Sequence, residues 1–97
     1  MMNHQKFKLI EGKFWPNESR EILNNVFFSK IQFHQMKNFS SQERFGTEDK
    51  NGLKRIYQLK KSIDKILKMI ESAEKKGEQI EIKSEIMINF VKPVKNV

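Results

Sequence analysis

Residues 50–91, KNGLKRIYQLKKSIDKILKMIESAEKKGEQIEIKSEIMINFV, carry two hydrophobic periods in succession. Ile56, Leu59, Ile63, Ile66, Ile70 and Ala73 recur at spacings of 3, 4, 3, 4 and 3. That is an a/d seam sustained over three heptads, widened by Leu53 and Leu67. After Gly77 the period becomes two. Ile80, Ile82, Ile86, Ile88 and Phe90 alternate with Glu81, Lys83, Glu85, Met87 and Asn89, and Ser84 interrupts the apolar face. The first pattern predicts a helix over 50–76, closed by the cations Lys75 and Lys76 and a C-cap at Gly77. Its start is placed near Asp49, against the roughly 1 kcal/mol that Gly52 costs inside a helix. The second pattern predicts a strand over 79–91, because β-branched residues at period two suit a half-buried pleated surface.

Upstream, residues 6–14 hold Phe7 and Leu9 in alternation with Lys6 and Lys8, a short strand pattern. Trp15-Pro16-Asn17 breaks it. Asn17 is then read as the N-cap of a helix over 18–39, with Glu18 and Glu21 in the first turn where the helix dipole favours acids. This first helix is apolar most of the way round. Ile22, Val26, Phe33 and Met36 form one stripe, Leu23, Phe27 and Ile31 a second, and Phe28 and Phe39 lie on a third side. A surface helix needs one stripe. Three directions of burial call for a partner helix, a sheet and a further surface, most simply another copy of the chain. Residues 40–50, continuing to Gly52, are read as a loop rich in turn formers. Ser40 and Glu43 stand at capping-box spacing within it, and its length is that of a hinge. The tail 92–97 contains Pro93 and is expected to fray.

The implied fold class is α+β in the order β-α-α-β, one domain over 1–97. A long antiparallel helical hairpin is flanked by N- and C-terminal strands, which pair antiparallel beneath it. A two-stranded sheet is marginal alone and has two open edges. The second strand also reads as longer than the first. Completion by dimerisation meets both conditions. Phe27, Phe28, Ile31, Phe39, Ile86 and Ile88 are the candidate interface residues.

Composition narrows the chemistry. Ninety-seven residues contain no Cys, so disulfides, zinc–cysteine sites and cysteine nucleophiles are excluded. His4 and His34 are the two histidines. His34 has no second His and no carboxylate at i±3 or i±4, so neither carries a metal set. The acid pairs Glu48-Asp49, Glu71/Glu74 and Glu81/Glu85 fall in the predicted loop or on solvent faces, where nothing tunes them for acid–base work. No glycine-rich phosphate loop and no nucleophile elbow occurs. The expectation is therefore no catalytic residue, no cofactor and no metal. No apolar run approaches a membrane span, and no signal-peptide core follows Met1, so a soluble cytoplasmic protein without a membrane partner is expected.

Nineteen Lys and Arg against twelve Asp and Glu give a net charge of +7. Sixteen of those cations are Lys, in a chain crowded with residues of A/T-rich codons, so composition alone accounts for much of the excess. One ordered feature stands out. Lys54, Lys61, Lys65 and Lys68 fall within about 60° of one another on the second helix, opposite its seam. They are the candidate nucleic-acid contacts, and the alternative to a non-catalytic, homo-oligomeric interaction or scaffold protein is a nucleic-acid-associated one. Phe14, Trp15 and Phe45 lie in breaks of the pattern and are the candidate patch for a protein partner.

Overall fold

The computed structural model describes residues 4–94. The element order is β1 (His4–Phe14), α1 (Pro16–Phe45), α2 (Lys50–Lys76) and β2 (Ile80–Asn89). β1 and β2 form an antiparallel two-stranded sheet. The chain divides into two compact units, one holding the helical hairpin of residues 14–80 and the other holding most of both strands.

In the hairpin the core is the heptad seam. Ile56, Leu59 and Ile70 are buried, Ile63 and Ile66 are half-buried between them, and Ala73 is half-buried beyond Ile70. α1 contributes the half-buried set Leu23, Phe27, Ile31, His34, Asn38 and Ser41. Their steps of four and three residues keep them within about 80° of one another, the face turned to α2. α2 is strongly amphipathic, whereas α1 has almost no amphipathic bias.

The helix ends depart from the sequence reading in ways that local chemistry explains. α1 starts at Pro16, with Trp15 as N-cap rather than Asn17. Proline is pre-set for the first helical position. The Trp15 N–H donates to Glu18 Oε1 (2.9 Å), half of a capping box; the indole has no acceptor with which to complete it. At its other end α1 continues through the expected loop to Phe45. No glycine or proline stands between Pro16 and Gly46, so a lapse in apolar periodicity at Ser40 does not end the helix. Gly46 ends it in the left-handed region (φ 67°), its N–H donating to the Gln42 carbonyl (2.9 Å).

The connection is therefore residues 46–49, and polar side chains in the last turns of α1 fasten it, one of them, Ser41, from the stretch read as loop. Ser41 Oγ donates to the Thr47 carbonyl (2.9 Å), and Asn38 Oδ1 accepts the Asp49 N–H (2.8 Å). Asp49 caps α2 by accepting the Gly52 N–H (3.2 Å). Gly52 is buried against that cap: a Cβ there would meet Asp49 Oδ2 at 2.5 Å and Cγ at 3.0 Å. The glycine that looked costly in a helix makes room for the cap that starts it.

In the sheet, Ile82 is buried, and Ile10, Gly12 and Ser84 are half-buried. Phe7 and Leu9 stand about half exposed, so the less exposed side of β1 is the one carrying Ile10 and Gly12. β1 has 11 residues and β2 has 10, so the expected excess length of the second strand is absent. The tail residues 92–94 follow β2; 95–97, which share the fraying expectation, lie outside the described residues.

Candidate functional site

With Leu23, Phe27 and Ile31 turned to α2, the opposite side of α1 is open beyond the half-buried Ile22. From Ile22 to Ser40 a sector of about 160° contains Val26, Phe28, Phe33, Met36 and Phe39, separated by Asn25, Ser29, Gln32 and Ser40. It contains no charge over about 27 Å of helix. Phe28, Met36, Phe39 and Phe33 are 64%, 64%, 60% and 54% exposed, and Val26 39%. Taking roughly 200 Å² for each large side chain, these residues present about 500 Å² of apolar surface, the upper range for the largest patch on a monomer. A shallow groove lined by Asn25, Val26, Ser29, Lys30 and Phe33 runs along one edge of the band, with Lys30 Nζ 4.8 Å above the Phe33 ring.

Of the candidate interface residues, Phe28 and Phe39 belong to this open band, while Phe27 and Ile31 are half-buried on the α2 side. Ile86 and Ile88 are exposed on β2. Val26, Phe33 and Met36 join the band although the sequence reading left them out of the interface. They were legible as a stripe, but sequence alone could not say which of three stripes α2 would cover.

The candidate partner patch does not assemble. Trp15 caps the start of α1 and Phe45 is its last residue, about 45 Å apart along a 30-residue helix. Phe45 is helical rather than in a break, and Phe14 is half-buried. Trp15 instead lines a cleft of about 160 Å³ with Pro16, Asn17, Glu74, Gly77 and Glu78. Beside it Arg20 Nη2 donates to Glu74 Oε1 (2.6 Å) and Nη1 to Asn17 Oδ1 (2.9 Å), joining the start of α1 to the end of α2. The Arg20 hydrogen bond holds the Glu74 carboxyl below its ordinary range and raises Arg20 in turn.

Three of the six paired acids have structural employment: Asp49 caps α2, Glu71 lies 3.5 Å from Lys75, and Glu74 binds Arg20, while Glu48, Glu81 and Glu85 are exposed. His34 sits half-buried on the inner face of α1, edge-on to Phe33, with both ring nitrogens buried and without a hydrogen-bond partner. Burial, reinforced by Lys30, pushes its pKa down. Among the described residues no group of three or more His, Asp or Glu is placed to hold a metal ion. No helix is long and apolar enough to cross a membrane.

Lys54, Lys61, Lys65 and Lys68 are all exposed on the outer side of α2, with Lys61 Nζ 5.3 Å from the Tyr57 ring. The hairpin thus has two outer faces of opposite character: uncharged and apolar on α1, cationic on α2. Compared with known proteins, the chain matches no protein family, no curated protein and no solved structure.

Proposed function

We propose that the protein is a non-catalytic, homo-oligomeric interaction module of the cytoplasm that pairs through the uncharged outer face of α1. The observation that carries this reading is the open apolar band from Ile22 to Ser40. Burying about 500 Å² on each of two copies supplies gross hydrophobic free energy of about 25 kcal/mol, above the roughly 4–15 kcal/mol cost of association. The surface has no charge to be matched, and the chain itself carries its complement, as a twofold contact requires. The charge distribution favours a second copy too. α1 holds four cations and three acids, whereas α2 holds nine cations and three acids. Pairing α1 against α1 brings near-neutral helices together and keeps the cationic ones outermost.

Sedimentation equilibrium at micromolar concentration tests this. Twice the 11.6 kDa chain mass is expected for the natural sequence. A Phe28→Glu, Met36→Glu double variant should sediment as a single chain. A clean 11.6 kDa species from the natural sequence would remove the proposal. If Ile86→Glu with Ile88→Glu separates the copies instead, the contact lies on the sheet and not on α1.

A further inference from the structure

We infer that the outer face of α2 is a binding surface for the phosphate backbone of duplex DNA. Lys50, Lys54, Lys61, Lys65, Lys68 and Lys76 lie within about 80° of one another around α2, at about 100° per residue. They extend over about 40 Å at 1.5 Å per residue. All six are exposed, and among the described residues none of them is ion-paired. Lys75, which lies beside this strip, is engaged by Glu71 and is left out of it. No acid falls within the strip; Asp64 and Glu71 lie on its flank.

A solvated helix face ordinarily mixes the two signs, since oppositely charged residues at i,i+4 support the helix and like charges oppose it. Here Lys50/Lys54 and Lys61/Lys65 stand at i,i+4, and Lys65/Lys68 at i,i+3. The helix bears that repulsion in two places, at Lys50–Lys54 and over Lys61–Lys68. A polyanion laid on the face would relieve it.

The form of the face selects the polyanion. Bilayer-surface helices insert an apolar side, whereas the apolar side of α2 is packed in the hairpin. Lys presents point charges suited to phosphates, and the strip contains no Arg for bidentate reading of guanine, so contact is to backbone without sequence choice. An α-helix fits the roughly 12 Å major groove of B-DNA, where lysines along its outer face can reach the phosphates on the groove's rims. The major groove of duplex RNA is too deep and narrow to accept it. The inference rests on α2 alone and holds whatever the oligomeric state.

Fluorescence anisotropy with a labelled 24-base-pair DNA of arbitrary sequence tests it, using the full chain. About five neutralised phosphates give a salt slope near −4.5, so affinity should fall roughly 500-fold between 50 and 200 mM salt. Lys61→Glu with Lys65→Glu should weaken binding more than tenfold, and Lys61→Gln with Lys65→Gln should weaken it in the same direction with no new charge on the helix. Lys83→Glu with Lys92→Glu changes net charge equally but lies off α2, and should leave affinity within about threefold. Absent or salt-independent binding overturns the inference. So does an equal loss in the Lys83/Lys92 control, or tighter binding to duplex RNA or to vesicles containing phosphatidylserine.

Discussion

Replacing Gly52 with alanine should give different results in two backgrounds, and the reason is a single cap. In the interior of a helix, Gly→Ala stabilises by about 0.8–1.0 kcal/mol through backbone entropy. At this position the new methyl would stand 2.5 Å from Asp49 Oδ2 and 3.0 Å from Cγ. The carboxylate must swing away and release the Gly52 N–H that it accepts at 3.2 Å. Losing an Asp N-cap costs about 1 kcal/mol. The Asp49 backbone remains fastened to Asn38 Oδ1, so the turn survives and the two terms oppose each other locally. Gly52→Ala in the natural chain should therefore change stability by less than about 0.5 kcal/mol. In an Asp49→Ala chain, which has already lost the cap, the same change should stabilise by the full 0.8–1.0 kcal/mol or so.

The coupling in the double-mutant cycle is then about 1 kcal/mol, worth some 4–8 °C in Tm for a domain of this size. Urea unfolding followed by circular dichroism at 222 nm measures it. One fixed protein concentration is needed, because self-association would make apparent stability depend on concentration. A pH of 7.5 keeps His34 neutral. If Gly52→Ala stabilises equally in both backgrounds, the carboxylate does not occupy the space described, and the account of how α2 starts is wrong.

Other consequences are equally direct. Ser19 is fully buried with its Oγ unpartnered, so Ser19→Ala should stabilise the protein by about 0.5–1 kcal/mol in the same urea assay. His34 and Glu74 both have folded-state pKa values below their unfolded ones, so the unfolded chain binds more protons and stability must fall with acidification. The His34 contribution is complete above pH 6.5 and declines as pH falls toward its lowered pKa; that of Glu74 is complete above pH 4.5 and is lost below it. His34→Leu should remove the first decline in a Tm-against-pH profile and leave the second. With both proposed surfaces in use, an α1-paired dimer points its two lysine faces outward on opposite sides. Donor- and acceptor-labelled duplexes should then show energy transfer that Phe28→Glu with Met36→Glu abolishes while single-duplex binding persists.

The order of elements and the α2 seam are properties of the sequence by itself. A 3-4-3-4-3 repeat with a period-two segment behind a glycine has one low-energy local reading, and burial at Ile56, Leu59, Ile70 and Ile82 follows it. Four lysines of the strip, Lys54, Lys61, Lys65 and Lys68, were legible for the same reason: on a helix whose inner face is known, the outer face follows by rotation. The ends of α1 were less legible. Pro16 reads equally as a break or as a first helical residue, and Ser40 to Arg44 lack the apolar marks that betray a helix although none of them stops one. α1 posed the larger question, because apolar residues point in three directions from it and local periodicity ranks none above the others. Only the packing of the hairpin decides that Leu23, Phe27 and Ile31 turn inward and Phe28, Phe33, Met36 and Phe39 stay open. A sequence fixes the bearing of each side chain about its own helix axis, whereas which bearing is covered depends on where the second helix comes to rest.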